Sequence, residues 1–220
     1  MSDAHDTHAP ARPDLAAVEV IDESGGDLSR SEVILKGALA AGAAYGTLAV
    51  SPYVRRALAM GSGSNGGDVG ILNFALTLEY LESTFYKEAK TRAKAKGDLK
   101  KLIGMLADDE EQHVEALQAT IKQLGGKPVA EPKFDFPYND TAGFLKLAQT
   151  FEDTGVSAYN GAAPMIASKE VLGAAGSIVQ VEARHAAAIR LQNGEEPAPA
   201  AFDPSLDEAQ VLKAVEPFLA

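Results

Sequence analysis

Glu110-Glu111-Gln112-His113 and Glu182-Ala183-Arg184-His185 decide the reading of this chain, because each carries Glu-x-x-His. Residues three apart lie on one face of an α-helix, one turn from each other, so each motif aims a carboxylate and an imidazole at a single point. A further acid stands upstream of each motif. Glu79 lies 31 residues before Glu110, and Glu152 lies 30 residues before Glu182. Each of these acids has a tyrosine seven residues later, Tyr86 and Tyr159. The chain therefore reads as one unit, Glu…Tyr followed by Glu-x-x-His, used twice.

Four carboxylates and two imidazoles from four helices form the arrangement that holds a pair of iron or manganese ions inside a helix bundle. Two divalent ions held close together repel, and four carboxylates neutralise their charge. Oxygen and imidazole donors suit Fe, Mn or Zn, with Fe the first choice, rather than soft Cu(I). The chain has four His, of which His5 and His8 lie in a polar stretch and read as tail residues. With 17 Glu among 220 residues, chance places Glu three residues before both remaining His less than about once in a hundred. The alternative is a pair of ordinary surface Glu–His contacts, and the neighbouring residues argue against it. Glu79 shares its helical stripe with Leu72, Ala75, Leu76 and Tyr86; Glu110 and His113 share theirs with Ile103, Leu106 and Leu117. Glu152 sits with Leu145, Ala148, Gly155 and Tyr159, and Glu182 and His185 sit with Ile178, Ala186 and Ile189. A carboxylate on a core face has to be paired or bound to metal.

Three stretches resemble a known family. They are Ile71-Leu72-Asn73-Phe74-Ala75-Leu76-Thr77-Leu78-Glu79-Tyr80-Leu81-Glu82, residues 152–164, and Val181-Glu182-Ala183-Arg184-His185-Ala186-Ala187. Together they are similar to the ferritin-like domain family of bacterial and fungal proteins, which includes desiccation-related plant proteins. The resemblance spans about residues 68–218. It implies an all-α, left-handed ferritin-like four-helix bundle with a dinuclear metal site. It places the ligands at Glu79, Glu110, His113, Glu152, Glu182 and His185. Fold transfers across such a resemblance more readily than activity does.

Two classes of function are compatible with this site. One is an enzyme that binds Fe(II) and reacts with dioxygen or peroxide, as a ferroxidase, a peroxide-reducing enzyme or a manganese catalase-like oxidoreductase. The other is a non-catalytic module that holds a structural metal or protects other molecules under stress. Tyr86 and Tyr159 are candidate catalytic residues, since a phenol beside two metals can donate a hydrogen bond or an electron. Tyrosine is equally at home at the edge of a core. Glu82, one turn from Glu79, reads as a rim residue rather than a further ligand. Glu111 and Asp153 point about 100° away from their ligand neighbours, toward solvent, and Arg184 is expected to pair with surface acids.

Composition bounds the rest. The chain carries a net charge of −11, which disfavours binding to nucleic acid or to an anionic membrane surface. It has no Cys, so thiolate ligands, disulfides and a Cys nucleophile are excluded. Self-association into a homo-oligomer is left open, because the sequence shows no interface.

Along the chain, residues 1–28 are polar and rich in Asp, Pro, Ala and Gly, and read as a disordered tail. Ser29-Arg30-Ser31-Glu32-Val33-Ile34-Leu35-Lys36 resembles a twin-arginine export signal in which the second Arg is replaced by Ser. A weakly apolar run over 37–50 follows, and Ala57-Leu58-Ala59 has the form of a cleavage site. Residues 29–59 thus predict export to the periplasm or beyond; the alternative is a cytoplasmic protein keeping them as an N-terminal helix. A Gly/Ser linker spans about 60–68, with Asp68 as the expected cap of helix one. The bundle is expected over 69–194. Its helices run over about 69–96, over about 98–124 with Asp98 as cap, from 141 to near Pro164, and over about 168–192. The Pro-rich stretch 125–139 cannot be helical and supplies a long crossover between the two halves. Residues 195–220 read as a Pro/Ala linker and a short helix over about 206–215, opened by a Ser205-x-x-Glu208 capping box.

Overall fold

Residues 67–220 are described by the computed structural model. The expected tail, the export-signal segment and nearly all of the Gly/Ser linker lie outside the described residues. The architecture is all-α: α1 (Asp68–Arg92), α2 (Gly97–Gln123), α3 (Thr141–Ala162), α4 (Lys169–Gln192) and a short α5 (Glu208–Val215). Helix α1 packs along α2 and α3 along α4, while α1 also meets α3 and α2 meets α4, so the four long helices form a bundle. Among the described residues no helix is long and apolar enough to cross a membrane.

The helices begin and end where local chemistry dictates, and this moves several expected boundaries. Helix α1 stops at Arg92 rather than near Lys96, because Lys94 and Gly97 both take left-handed backbone angles, φ 55 and 58. Helix α2 then starts at Gly97, so Asp98 lies in its first turn and bonds Lys101 instead of capping. Asp68 does not cap α1 either. Its two carboxylate oxygens accept from the backbone N–H groups of Ala167 (2.7 Å) and Ser168 (2.8 Å), tying the start of α1 to the start of α4. Asp140 and Ser168 do cap α3 and α4 through their side chains. The capping box of α5 is formed by Asp207 and Gln210, not by Ser205 and Glu208.

The crossover between α2 and α3 is held by side chains of α1. Asn73 donates to Lys127 O and accepts from Val129 N, at 3.2 and 2.7 Å. The Arg92 guanidinium donates to Phe136 O and Tyr138 O and lies 4.4 Å over the Tyr138 ring. These bonds satisfy backbone groups that a non-helical segment would otherwise leave unpaired. The C-terminal segment closes over the same region: Asp135 N donates to Phe218 O, and Ala220 N to Lys133 O. It also crosses α3 where Gly161 leaves no side chain, since a Cβ there would stand 1.9 Å from Leu206 O.

Two apolar clusters fill the bundle, one above the other. Leu81, Phe85, Ile103, Leu106, Phe144, Phe151 and Ile189 belong to the first. Leu72, Leu76, Leu117, Ile121, Val171 and Ile178 belong to the second. On each long helix a glutamate falls at the boundary between them: Glu79, Glu110, Glu152 and Glu182. Phe85 is the hub of the first cluster, with ring centroids 4.9–5.6 Å from those of Tyr86, Phe136, Tyr138, Phe144 and Phe151. Phe85→Ala should therefore cost about 3–5 kcal/mol of folding free energy, read from urea unfolding. A loss under about 1 kcal/mol, the scale of a surface substitution, would contradict this packing.

Candidate metal centre

Glu79, Glu110, Glu152 and Glu182 are each no more than 1% exposed, and His113 and His185 are buried beside them. All six converge on one point between the apolar clusters. His113 Nδ1 lies 2.9 Å from Glu182 Oε1, 3.2 Å from Glu110 Oε2 and 3.4 Å from Glu79 Oε2. His185 Nδ1 lies 2.8 Å from Glu110 Oε1 and 3.7 Å from an oxygen of both Glu152 and Glu182. The ring centroids are 6.1 Å apart. Two groups of four donors result, Glu79–Glu110–His113–Glu182 and Glu110–Glu152–Glu182–His185, each with ligand atoms within 4.8 Å of one another. Glu110 and Glu182, the acids of the two Glu-x-x-His motifs, belong to both groups.

The same atoms are short of hydrogen bonds. Glu79 Oε2, Glu110 Oε1, Glu152 Oε2, both Glu182 oxygens and His185 Nδ1 have no aligned partner despite the short distances. One ring N–H cannot serve three acceptors, and a buried acceptor left unpaired is costly. Cations satisfy several oxygens and an imidazole lone pair at once, so this donor set could hold hard or borderline metal ions. The fold and the site bear on family in the same way. A ferritin-like domain model matches residues 67–195, more than half the chain.

The chain belongs to the ferritin-like domain family. A solved structure of the same architecture is a conserved hypothetical protein from Mycobacterium tuberculosis. It is 17% identical, with a TM-score of 0.54 over 61% of this chain and 96% of that one. At that identity the likeness concerns the fold alone. No curated protein shows significant similarity to the chain.

Within this ferritin-like bundle the tyrosines cross over. Tyr86 follows Glu79 on α1, yet its hydroxyl donates to Glu152 Oε1 on α3. Tyr159 follows Glu152 on α3, yet donates to Glu79 Oε1 at 2.5 Å. A spacing of seven residues puts each phenol two turns along its own helix, where the facing helix offers the nearer acid. Each tyrosine occupies the outer oxygen of its glutamate and leaves Oε2 turned inward. Burial, followed by the charge of the partner glutamate, holds both phenols well above their ordinary pKa, so they remain donors.

Three neighbours differ from the sequence expectation. Glu82 is 3% exposed and lies against Gly155, so it is a core residue and not part of the rim. Asp153 is half-buried and faces Arg190 at 2.6 Å instead of solvent. Among the described residues no ion pair involves Arg184, which is exposed; Arg190 is the arginine that pairs. Glu111 does lie on the surface, with Lys87. Asp109 is not singled out by the sequence. Its Oδ2 is 3.3 Å from His185 Nε2, the carboxylate contact that turns a metal-binding histidine's other nitrogen toward the metal. Its position directly before Glu110 is the one signal the sequence holds for it.

Protons balance the charges when no cation is bound. Burial, followed by the charge of Glu182, raises Glu79, Glu82 and Glu152 well above the usual carboxylate range. Burial opposes charge at Glu110 and the histidines as well, but there the Glu–His contacts win. They draw Glu110 down to about 2 and push His185 up to about 11, with His113 also raised.

The raised groups bind more protons folded than unfolded. Their stabilisation is complete below the unfolded pKa and is lost as pH rises through the folded value. Glu110 runs the other way, losing its contribution as pH falls toward about 2. Metal-free protein should therefore lose stability as pH rises above about 4.5 through the acids, and from about 6.5 to about 11 through His185. Thermal melts in chelator at about pH 6 and about pH 9 test this. A Tm that rises between them would contradict the charge assignment.

Proposed function

We propose that this ferritin-like protein is a dinuclear metal-carboxylate protein that binds Fe(II) and reacts with dioxygen or peroxide. Its role would lie in metal handling or in protection under oxidative or desiccation stress. The convergence of six buried donors with unsatisfied inward atoms carries this reading. Glu79 and His113 would hold one ion and Glu152 and His185 the other, with Glu110 and Glu182 within reach of both. Iron is the ion proposed, with Mn or Zn as alternatives, since carboxylate and imidazole donors accept all three. Such a pair, when bound, supplies a place where an oxidant is held and reduced.

The chain's own groups define the conditions around it. The two apolar clusters exclude water from the layer of acids. Tyr86 and Tyr159 orient Glu152 and Glu79 and hold a proton at each phenol, next to the first ligands. Metal binding has to displace the protons that balance the acids, so affinity rises with pH.

A second reading is a structural metal site or stress-protection module without turnover. The enclosure of the site favours it: the four glutamates are no more than 1% exposed, and His113 and His185 are 8% and 2% exposed.

Metal content and the initial rate of Fe(II) oxidation separate the readings, measured for wild type, Glu110→Ala and Glu182→Ala. Both variants should lose metal, and oxidation should fall to background. Unchanged metal and rate in both variants would refute the site. Full occupancy with no oxidation in wild type would move the function to the second reading.

Tyr86→Phe and Tyr159→Phe should keep their metal but oxidise Fe(II) more slowly, since only a hydrogen bond and a phenol are removed. Unchanged rates would make both tyrosines structural.

Export is proposed from residues 29–59 alone. N-terminal sequencing of protein from its host should find the mature terminus near Met60. An intact 30–59 segment in a cytoplasmic fraction would overturn export.

A further inference from the structure

The two halves of the site differ one turn after the upstream glutamate. Three residues after Glu79 comes Glu82, whereas three residues after Glu152 comes Gly155. The two positions meet across the α1–α3 contact. A Cβ built on Gly155 would stand 3.1 Å from Glu82 Oε1 and 3.6 Å from Oε2. The absence of a side chain on α3 is thus what admits the carboxyl of α1. Glu82 lies one helical turn from Glu79 on the same face and is buried to 3% exposure. No described residue forms a hydrogen bond with its carboxyl. It feels the charges of Glu182, Glu110, Glu152 and Glu79, which places it at the level of the site.

The Glu82 oxygens are not among the fully enclosed atoms left unpaired, yet a carboxyl this nearly buried gains from a partner in either protonation state. Glu82 belongs to neither group of four donors, whose ligand atoms lie within 4.8 Å of one another, so it stands beside the set rather than within it. We propose that Glu82 is a fifth metal-binding carboxylate of the centre, brought to the ion pair through the space that Gly155 leaves beside it. This rests on the dinuclear reading above. Four carboxylates neutralise two divalent ions; a fifth leaves the set in excess of negative charge and tightens its hold on the pair. It also makes the two ions unequal, because α3 offers no counterpart.

The test uses full-length protein stripped of metal and titrated with Mn(II). Bound ion is followed through loss of the free Mn(II) resonance signal. Glu82→Gln keeps the shape and removes the charge. Circular dichroism of the metal-free variant checks that the bundle is intact, and Gly155→Ala serves as a second variant that leaves all five acids in place.

Wild type should bind two ions. Glu82→Gln should bind one of them at least about tenfold more weakly, the scale on which the groups around a metal act. Gly155→Ala should weaken the same ion. The visible spectrum of bound Co(II), which reports coordination geometry, should change in Glu82→Gln. Two ions held by Glu82→Gln with wild-type affinity, or an unchanged Co(II) spectrum, would overturn the role of Glu82 and leave the dinuclear site standing. A wild-type protein that binds no Mn(II), Co(II) or Fe(II) would overturn both.

Discussion

The structure depends on one electrostatic constraint: five carboxyl groups and two imidazoles share a water-poor layer in the middle of a helix bundle. Removing charges from water is expensive, and the cost is met only when each charge finds a partner. Without metal, protons do this, through raised acids and two protonated histidines facing Glu110. Cations do it with more contacts per charge. The apolar clusters above and below the layer supply the folding free energy that lets such a layer exist. Its acids fall at the boundary of the clusters on each of the four long helices, so no single helix bears the burden.

The same layer explains why the surrounding structure is tied so firmly. A site made of donors from four helices loses its geometry if any helix slides. Asp68 fixes the start of α1 to that of α4. Asn73 and Arg92 fix the crossover to α1. The aromatic hub around Phe85 joins α1, the crossover and α3. The crossed Tyr–Glu bonds add a direct link between α1 and α3 at the site itself. Precision here comes from rigid helices and their ties, the condition under which donors stay preorganised.

Much of this was legible in the chain, for identifiable reasons. The four long helices, their order and the non-helical crossover followed from periodicity, Gly stops and Pro residues. These act locally and need no partner. That Glu79, Glu110, His113, Glu152, Glu182 and His185 face one buried cluster followed from Glu-x-x-His used twice on apolar stripes, because a helix turns a three-residue spacing into a shared direction. Helix ends were less legible. Asp68, Asp98 and Ser205 all looked like caps, yet only the folded chain shows that Asp68 serves a different helix and that Asp207 takes the place of Ser205.

What the sequence by itself determined is the face on which each donor sits. What the tertiary structure decided is how the faces meet. Tyr86 and Tyr159 could be seen to follow a glutamate, but their bonds go to the glutamate of the other helix, a choice made by the packing of α1 against α3. Glu82 looked like a rim residue because helical spacing says nothing about what stands opposite. Gly155, 73 residues further along the chain, leaves the room that makes it a core residue. Spacing along one helix is set by covalent geometry and is carried in the sequence. Distance between helices is set by the volumes of side chains from remote parts of the chain, and it exists only once they pack.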